Sequence, residues 1–447
     1  MSFTPSALIA WLQASVPQRR YWIAYSGGLD SQVLLHALSV SRERLPAGLG
    51  AVHVDHGLQP DSQAWQARCQ SLCQAWDVPY QSLRVNAEPA PGESPEAAAR
   101  RARYAALSAW LPRDECLLAA HHQDDQAETL LLQLLRGSGP RGLAAMPAVA
   151  PLGRGWLARP LLAFTRDDLR GYALACGLDW IEDPSNADPA YDRNFLRAEV
   201  LPRLSRRWPG MSRVLARAAR HQSEAARLLE ALGHIDLHGL ADVGSHTLSL
   251  PRLLELGWER QRNVLRVWLR DLQLPVPSAA VMERILGDVL VAGADAGPRV
   301  HWPGAELRRY RNRLFASSPL PVHDVTRSWP WQPPQPMRLA TAGGVLSAVA
   351  DRGQGVAAAL GTQTLRIGFR RGGEIIRRAG CRHHQALKKL FQERAIPPWE
   401  RDRVPLIYHG NDLIAVAGLW VCEGFQAAPG EAGVRFAWSR LENLPAD

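Results

Sequence analysis

The first 200 residues alternate between strand-like and helix-like patterns, and this alternation constrains the fold more than any other feature. Short apolar runs predict strands at Trp22–Tyr25, Gly50–Asp55, Tyr80–Val85 and Cys116–His121. Helical patterns separate or follow them at Ser31–Val40, Ser62–Trp76, Pro95–Trp110 and Asp124–Leu135. Repeated β-α-β units of this kind build a parallel, doubly wound α/β sheet, which binds its ligands at the carboxyl ends of the strands.

The first predicted strand runs directly into the loop Ser26-Gly27-Gly28-Leu29-Asp30-Ser31. An ordinary β-to-α turn, a dinucleotide loop and a phosphate-binding loop are the competing interpretations. Paired glycines, two hydroxyls and a helix N-terminus suit a bound anion. The loop matches neither the Walker A pattern nor G-x-G-x-x-G. Asp30 would repel phosphate unless a divalent cation such as Mg²⁺ lies between them, and its alternative role is a helix cap.

A second group of polar residues follows the fourth predicted strand. Asp124 and Glu128 are four residues apart on one predicted helix, with Asp125 adjacent, so a cation partner is expected for them. Mg²⁺ with ATP or the ammonium group of lysine would serve, and a solvated acidic helix face is the alternative. His121 and His122 precede this helix, and His56 follows the second strand. Because zinc-type spacing is absent, contacts to phosphate or to a base are favoured for these histidines.

Several stretches resemble known families. The loop "SGGLDS" resembles the PP-loop of N-type ATP pyrophosphatases, whose fold is Rossmann-like. The stretches "HVDHGLQPDS", "AAHHQDDQAETLLLQLLRGSGPRGLAAMP" and "WIEDPSNADPAYDRNFLRAEVLPRL" are similar to the tRNA(Ile)-lysidine synthetase family, as are "ARRARY" and "RPLL". "HHQALKKLFQERAIPPWERDRVPLIY" resembles that family's C-terminal domain. Gln59 departs from the basic residue that the family often carries after "DHGL".

The resemblance implies a specific reaction. ATP adenylates the C2 oxygen of the wobble cytidine in an isoleucine tRNA with a CAU anticodon, and the ε-amine of L-lysine displaces AMP to form lysidine. The catalytic residues expected on this basis are Asp30, Asp124, Asp125 and Glu128. The residues expected to bind ATP are Ser26, Gly27, Gly28, Leu29, Asp30, Ser31, His56, Arg100 and Arg103, with Asp30 also binding Mg²⁺. The residues expected to contact lysine or tRNA are His121, His122, Arg193, Asn194, Arg197, Arg207, Lys388 and Lys389.

Positive charge is concentrated after the catalytic segment. The chain has 52 Lys and Arg against 43 Asp and Glu, a net charge of +9. Arginines recur through Arg203–Arg220, where phosphate contact and a solvated helix are the two interpretations. Lys388 and Lys389 are the only lysines, which favours a site for a compact ammonium group, with chance as the rival. The resemblance implies that the C-terminal domain grips the tRNA acceptor stem.

These patterns predict four segments. They are a catalytic domain at 1–205, a basic helical arm and small helical middle domain at 206–320, a linker at 321–360, and a small α+β tRNA-binding domain at 361–447. No apolar run is long enough to span a membrane, so a cytoplasmic protein is expected. Monomer and homodimer stay open. The rival functions are a tRNA thiolase, for which the scattered cysteines are unsuited, a small-molecule amidotransferase, and a non-catalytic tRNA-binding protein.

Overall fold

The computed structural model describes residues 3–16, 20–45, 48–55, 62–89, 94–182, 191–241, 247–293, 296–361 and 363–440, without the side chains of residues 95 and 96. His56 and Gln59 lie outside these residues. The chain divides into two compact units, Met1–Ala231 and Leu232–Asp447. None of the helices in the described part of the chain combines the length and the apolar character that a membrane crossing needs.

The first unit contains a six-stranded sheet and most of the long helices. In chain order its elements are α1 (Pro5–Ser15), β1 (Tyr21–Ala24), α2 (Leu29–Ser39), β2 (Leu49–Asp55), α3 (Ser62–Ala75), β3 (Tyr80–Arg84), α4 (Pro95–Trp110), β4 (Cys116–Leu118), α5 (Gln123–Leu135), α6 (Pro140–Leu143), β5 (Val149–Leu152), β6 (Gly155–Ala158), α7 (Arg166–Ala175), α8 (Asp192–Phe195), α9 (Leu201–Arg207) and α10 (Met211–Leu240), which continues into the second unit.

The six strands form one sheet in the order β3-β2-β1-β4-β6-β5, in which every neighbouring pair is parallel except β5 and β6. Side chains of β1 alternate between two buried clusters, with Tyr21 and Ile23 on one face and Trp22 on the other. The first cluster includes α1, α2 and α3, and the second includes α4. The doubly wound α/β fold is therefore confirmed. The chain adds β2 and β3 on one side of β1 and β4 and β6 on the other, so the topological switch point lies between β1 and β4.

The four predicted strands and four predicted helices are all present, with ends shifted by at most a few residues. The β5–β6 hairpin was not predicted. Pro151 and two glycines interrupt its apolar pattern, and Gly153 forms the turn at φ +56°. Both strands are short, so their periodicity is weak. The hairpin nevertheless matters for function, because β6 extends the parallel edge beside β4.

The helical segment that carries the arginines of Arg203–Arg220 is divided in two. A π-helical turn at Leu196–Val200 joins α8 to α9, and α9 ends at Arg207. The sequence Trp208-Pro209-Gly210 follows, with Gly210 at φ +78°, before α10 starts at Met211. Proline cannot donate the next helical hydrogen bond and a positive φ breaks helical geometry, so the stop is local in origin.

The second unit combines helices with antiparallel sheets. Its elements are β7 (Thr247–Ser249), α11 (Leu250–Leu254), α12 (Trp258–Asp271), α13 (Ala279–Arg284), β8 (Arg299–Trp302), β9 (Ala305–Tyr310), β10 (Arg313–Ser317), β11 (Trp329–Trp331), β12 (Met337–Leu339), β13 (Gly344–Arg352), β14 (Val356–Ala357), α14 (Ala358–Gly361), β15 (Leu365–Gly368), β16 (Ile375–Ile376), β17 (Gln385–Ala386), α15 (Leu387–Glu393), α16 (Pro398–Arg401), β18 (Leu406–His409), β19 (Asp412–Val416), β20 (Trp420–Val421) and β21 (Ala432–Arg440).

The middle region has the predicted helices, α11 to α13, and also a four-stranded antiparallel sheet in the order β7-β10-β9-β8 that was not predicted. The stretch "ELRRYRNRLF", which falls in the segment predicted as a small helical middle domain, forms the β9–β10 hairpin. Arg311 lies at the hairpin turn with φ +53°. Along β10, buried residues alternate with exposed or half-buried ones, which is the period of a strand.

The C-terminal region contains two main sheets, ordered β11-β15-β18-β19-β20 and β12-β13-β21-β14, and the helices α15 and α16. The predicted small α+β domain is confirmed in its strands β15 and β19 and its helix α15. Residues 321–360, predicted as a linker, instead supply β11 to β14 to these sheets. The prolines of this segment suggested a linker, but Pro330 lies in β11 at a sheet edge, where a missing N–H donor is tolerated.

Candidate active site at the carboxyl edge of the parallel sheet

The Ser26–Ser31 loop connects β1 to α2 and is held in a fixed shape. Gly27 has φ +79°, and a Cβ there would lie 2.7 Å from Ile181 Cδ1 and 2.9 Å from Cys69 Sγ. Gly27 is therefore required by the fold itself. Gly28 has no such constraint, because the atom nearest to a Cβ at that position would be Ser26 Oγ, at 3.5 Å.

The two serines of this loop bond to each other and to the backbone. Ser26 Oγ lies 3.1 Å from Ser31 Oγ, and the Ser31 hydroxyl donates to the Gly28 carbonyl at 3.0 Å. The helix α2 begins at Leu29, two residues before the predicted start, with Gly28 as its N-cap. The first amides of an eleven-residue helix thus open onto the loop, an arrangement that stabilises a bound anion.

Asp30 lies in the first turn of α2 with its side chain 30% exposed. Its Oδ1 is buried and has no hydrogen-bond partner among the described residues, while Oδ2 lies 3.7 Å from His122 Nε2. Burial raises the pKa of this carboxyl, against the opposing effect of His122. A carboxylate that is partly desolvated and half unpaired has the chemistry of a ligand for a cation that also contacts phosphate.

His122 is the N-cap of α5 and forms a capping box with Asp125. The His122 amide donates to Asp125 Oδ2 at 3.0 Å, and the Asp125 amide donates to His122 Nδ1 at 3.4 Å. Nε2 of the same ring faces Asp30 Oδ2 at 3.7 Å and Asp125 Oδ2 at 3.5 Å. His122 therefore links α5 to the loop after β1.

Two arginines neutralise two buried carboxylates on α5. Glu128, whose side chain is 1% exposed, accepts from Arg193 Nε at 2.7 Å and from Arg197 Nε at 2.8 Å. Asp125 Oδ1 accepts from Arg193 Nη2 at 2.9 Å and from Arg197 Nη2 at 3.2 Å. Burial opposes ionisation of Asp125, but His122 and Arg193 outweigh it and lower its pKa to about 2. The sequence predicted a cation partner for these acids, and in this structure it is a pair of guanidinium groups.

Asp124 has partners different from those of Glu128. Its Oδ2 accepts from the Arg166 amide at 2.8 Å, and its Oδ1 accepts from the Ser212 hydroxyl at 2.6 Å. These bonds connect α5 to the first residue of α7 and the second residue of α10. A cavity of ≈ 410 Å³ opens beside Asp124, and its lining includes His122, Asp124, Glu128, Arg166, Arg197 and Ser212.

His121 lies in the short segment between β4 and α5, directly before His122. Burial lowers its pKa to about 3, with Asp125 opposing and Arg159, Arg193 and Arg100 reinforcing the shift, so the ring is neutral at pH 7. On α4, the guanidinium carbons of Arg100 and Arg103 lie 5.0 and 5.8 Å from the centre of the Tyr104 ring. Arg100 is near enough to His121 for its charge to lower the pKa of that ring.

The other predicted residues lie on α8, α9 and α15, and His56 lies outside the described residues. Asn194 is half-buried beside Arg193 on α8. Arg207 is exposed at the end of α9, with its guanidinium carbon 5.7 Å from the Trp208 ring centre. Lys388 and Lys389 are exposed on α15 in the second unit. Sequence reasoning overlooked Arg159 and Ser212 as candidate site residues. Arg159 belongs to the quoted "RPLL" stretch, which was the available signal for it.

Among the described residues, no group of three or more His, Cys, Asp or Glu side chains is arranged to hold a metal ion. This composition still fits Mg²⁺, which keeps several waters and uses one or two carboxylates together with substrate phosphates. The unpaired Oδ1 of Asp30 is the observation that fits such an ion. Asp30 would hold it beside the loop, where Mg²⁺ supplies charge neutralisation for a polyphosphate.

The parallel sheet and its glycine- and serine-bearing loop define a PP-loop ATPase domain, and residues 5–204 match the family model described as the PP-loop domain. Residues 248–315 match the TilS substrate binding domain, and residues 365–438 match the TilS substrate C-terminal domain.

Three curated relatives carry the same name, tRNA(Ile)-lysidine synthase. The protein of Coxiella burnetii is 46% identical over 431 residues, covering 96% of each chain. That of Alkalilimnicola ehrlichii is 47% identical over 436 residues, again 96% of each chain. That of Pseudomonas aeruginosa is 42% identical over 451 residues, 97% of each chain. The chain belongs to the tRNA(Ile)-lysidine synthase family.

Proposed function

We propose that this chain is an ATP-dependent ligase that forms lysidine at the wobble cytidine of an isoleucine tRNA with a CAU anticodon. The observation that carries the proposal is the arrangement of one sheet edge. There, an anion-binding loop, a half-unpaired Asp30 and the buried Asp125–Glu128–Arg193–Arg197 network meet through His122. The names of relatives that match almost the whole chain support the same function.

The Ser26–Ser31 loop would bind the pyrophosphate part of ATP. Gly28 leaves space on the open side of the loop, and the first amides of α2 and the serine hydroxyls supply donors. Asp30 would hold Mg²⁺ against the same phosphates. The C2 oxygen of the cytidine attacks the α-phosphorus, which releases pyrophosphate and leaves AMP on that oxygen.

The acids and arginines of α5 and α8 would serve the second step. In the absence of RNA, Arg193 and Arg197 saturate Asp125 and Glu128. Arrival of the adenylated nucleotide gives the guanidinium groups a second anion to bind, which frees a carboxylate for the ammonium of lysine. The ε-ammonium then gives a proton to that carboxylate, the resulting amine attacks C2 to form the C–N bond, and the C2–O bond breaks as AMP leaves with the oxygen.

The ≈ 410 Å³ cavity beside this network suits a free amino acid. Its lining carries both acids, such as Asp124 and Glu128, and bases, such as Arg166 and Arg197. A zwitterion with a cationic side chain needs both signs of charge. Lysine would therefore enter from this side, with its ε-ammonium directed to Glu128.

Exposed basic residues would supply affinity for the body of the tRNA. Arg213, Arg217, Arg220 and Arg227 lie on the exposed face of α10, and Lys388 and Lys389 are exposed on α15. Such phosphate contacts position an RNA without reading its sequence. A homodimer and a cytoplasmic location, where tRNA is available, stay predictions that go with this function.

Incubation of the full chain with ATP, labelled L-lysine and a tRNA(Ile) transcript bearing CAU tests the proposal. Lysine should enter the RNA with release of one AMP and one pyrophosphate per lysine. A transcript with a CAU anticodon in a methionine tRNA body is the matched RNA control, and Gly28→Val is the matched protein control that obstructs the loop but not the fold. Release of ADP and orthophosphate, or RNA left without lysine, would contradict the proposal.

A further inference from the structure

Arg159 is a buried arginine that the proposed mechanism leaves unused. It follows β6 directly at the carboxyl edge of the sheet, and it is only 6% exposed. Its Nη1 donates to the Pro147 carbonyl at 2.7 Å, and a hydrogen bond to the Tyr104 side chain holds the guanidinium from the α4 side. Its Nε is buried and lacks a hydrogen-bond partner among the described residues.

The surroundings of Arg159 do not neutralise its charge. Within the described part of the chain no carboxylate forms an ion pair with it. Burial lowers its pKa, Tyr104 opposes this shift, and Arg100 adds to it. His121, the neighbouring ring, is neutral, and its Nδ1 is a second buried polar atom that lacks a partner among the described residues. The carboxylate that acts on His121 is Asp125, which is already bonded to Arg193 and Arg197.

A purely structural role explains only part of this geometry. The bond to the Pro147 carbonyl fastens the segment before β5, and a neutral glutamine could make that bond equally well. A structural role does not explain why a guanidinium charge is buried with an Nε that has no hydrogen-bond partner among the described residues. Buried charges are expected to be paired, so the missing partner is an anion supplied from outside the protein.

We propose that Arg159, together with Arg100, Tyr104 and His121, binds a phosphate group at the carboxyl end of β6. Tyr104 packs in the cluster on the α4 face of the sheet, whereas the Ser26–Ser31 loop leads into α2 on the opposite face. This phosphate subsite is therefore separate from the loop. The phosphate comes from the RNA backbone beside the target cytidine or from the nucleotide, and in that respect the inference rests on the proposed function.

Arg159→Gln in the full chain is the principal variant, and Arg154→Gln is its matched control, because Arg154 is exposed in the same β5–β6 hairpin. The dissociation constants for ATP and for a tRNA(Ile) transcript are measured, the latter over a series of salt concentrations. An RNA phosphate predicts tRNA binding weakened by about ten- to hundredfold and a salt slope reduced by about 0.7–0.9. A nucleotide phosphate predicts the same loss for ATP, with the tRNA slope unchanged.

Two further measurements keep the inference falsifiable. Tyr104→Phe keeps the ring under Arg100 but removes the hydroxyl that orients Arg159, so it should cause a smaller loss in the same assay even where Arg159→Gln folds poorly. Thermal stabilisation by inorganic phosphate requires neither substrate, and it should be smaller in Arg159→Gln than in Arg154→Gln. Unchanged ATP and tRNA affinities with equal stabilisation by phosphate would overturn the subsite. Wild-type protein that binds phosphate but forms no lysidine would instead overturn the proposed function alone.

Discussion

Two buried glutamates in this molecule are each held by two arginines, and they differ in how the chain brings their partners together. Glu128 and Glu306 have side chains that are both 1% exposed. Glu128 lies on α5, and its arginines come from α8 and the π-helical turn, 65 and 69 residues later. Glu306 lies on β9, and its partners Arg299 and Arg308 are seven and two residues away.

The difference separates a network that is complete within one hairpin from a network that joins distant segments at the edge of the parallel sheet. Arg299 and Arg308 are directly opposite each other in the β8–β9 register, a like-charge pair that would weaken the hairpin. Glu306 lies between them and offsets that repulsion, so its role is complete within the hairpin. Glu128 stabilises no local turn or strand pair. Its arginines instead close the edge of the sheet where His122 and Asp30 converge.

Asp30 extends the comparison, because it is the carboxylate at this edge with an unpaired oxygen. We expect Asp30→Asn to lower the rate of AMP formation by about 10²–10³, the usual cost of losing one preorganised charge. The folded-state pKa of Asp30 is raised, so ionisation costs stability as the pH rises through that range, and the neutral variant avoids this cost. Its melting temperature at pH 8 should therefore exceed that of the wild type. Near-normal turnover would remove Asp30 from the mechanism.

The same substitution, glutamate to glutamine, at both positions tests most directly whether the two networks differ in their effect on turnover. Glu128→Gln should reduce lysine transfer by about 10², a typical contribution of a proton acceptor, with less effect on pyrophosphate release. Glu306→Gln should leave turnover unchanged below the unfolding transition and lower the free energy of unfolding by about 1–3 kcal/mol, because the arginines it leaves are partly hydrated. The comparison fails if Glu306→Gln slows the reaction in the folded enzyme, or if Glu128→Gln only melts earlier.

Lys388 and Lys389 are expected to contribute to tRNA affinity and not to the chemical steps. Alanine at both Lys388 and Lys389 should raise the KM for tRNA several-fold and reduce the salt slope by up to about 0.7–0.9 per lost contact. The KM values for ATP and lysine should not change. Arginine at both positions is the control, because it keeps the charge but replaces a compact ammonium with a planar fork. Equal salt slopes in wild type and the alanine variant would make the pair structural.

The smallest expected effect concerns His121. Its folded pKa is about 3, below the ordinary value of 6.5, so the unfolded chain binds the proton more readily. Stability is therefore highest above pH 6.5 and falls as the pH decreases towards 3. His121→Asn should flatten this fall when unfolding is followed in urea at several pH values. Parallel curves for variant and wild type would show that other groups dominate the acid response.

The sequence was most informative where local pattern and chemistry coincided. The run into Ser26–Ser31 could be predicted because an apolar strand, paired glycines and a helical pattern follow one another without a gap. Arg193 and Arg197 could be selected because they lie in a stretch rich in turn residues that resembles the tRNA(Ile)-lysidine synthetase family. Their partners could not be predicted, because contact with Glu128 depends on how a segment some 65 residues away folds back onto α5.

Arg159 and the β9–β10 hairpin show two different limits of sequence reasoning. The functional interest of Arg159 comes from burial without a carboxylate, a property of the packed structure that one sequence does not display. The hairpin was hidden because the adjacent Arg308 and Arg309 interrupt the alternation of polar and apolar residues in short strands. A turn at Arg311 also requires a positive φ, which arginine rarely adopts. Short periodic segments are ambiguous until their neighbours are known.

The position of β21 has a consequence for how the protein is made. Its nine residues lie in the interior of a sheet, between β13 and β14, whereas the last strand of the catalytic sheet ends at Ala158. During synthesis at about 5–20 residues per second, the ribosome therefore exposes a complete catalytic sheet some tens of seconds before the C-terminal sheet can close. Until β21 emerges, β13 lacks the neighbour with which all nine of its residues pair, and an unpaired strand edge of this kind can pair with other chains.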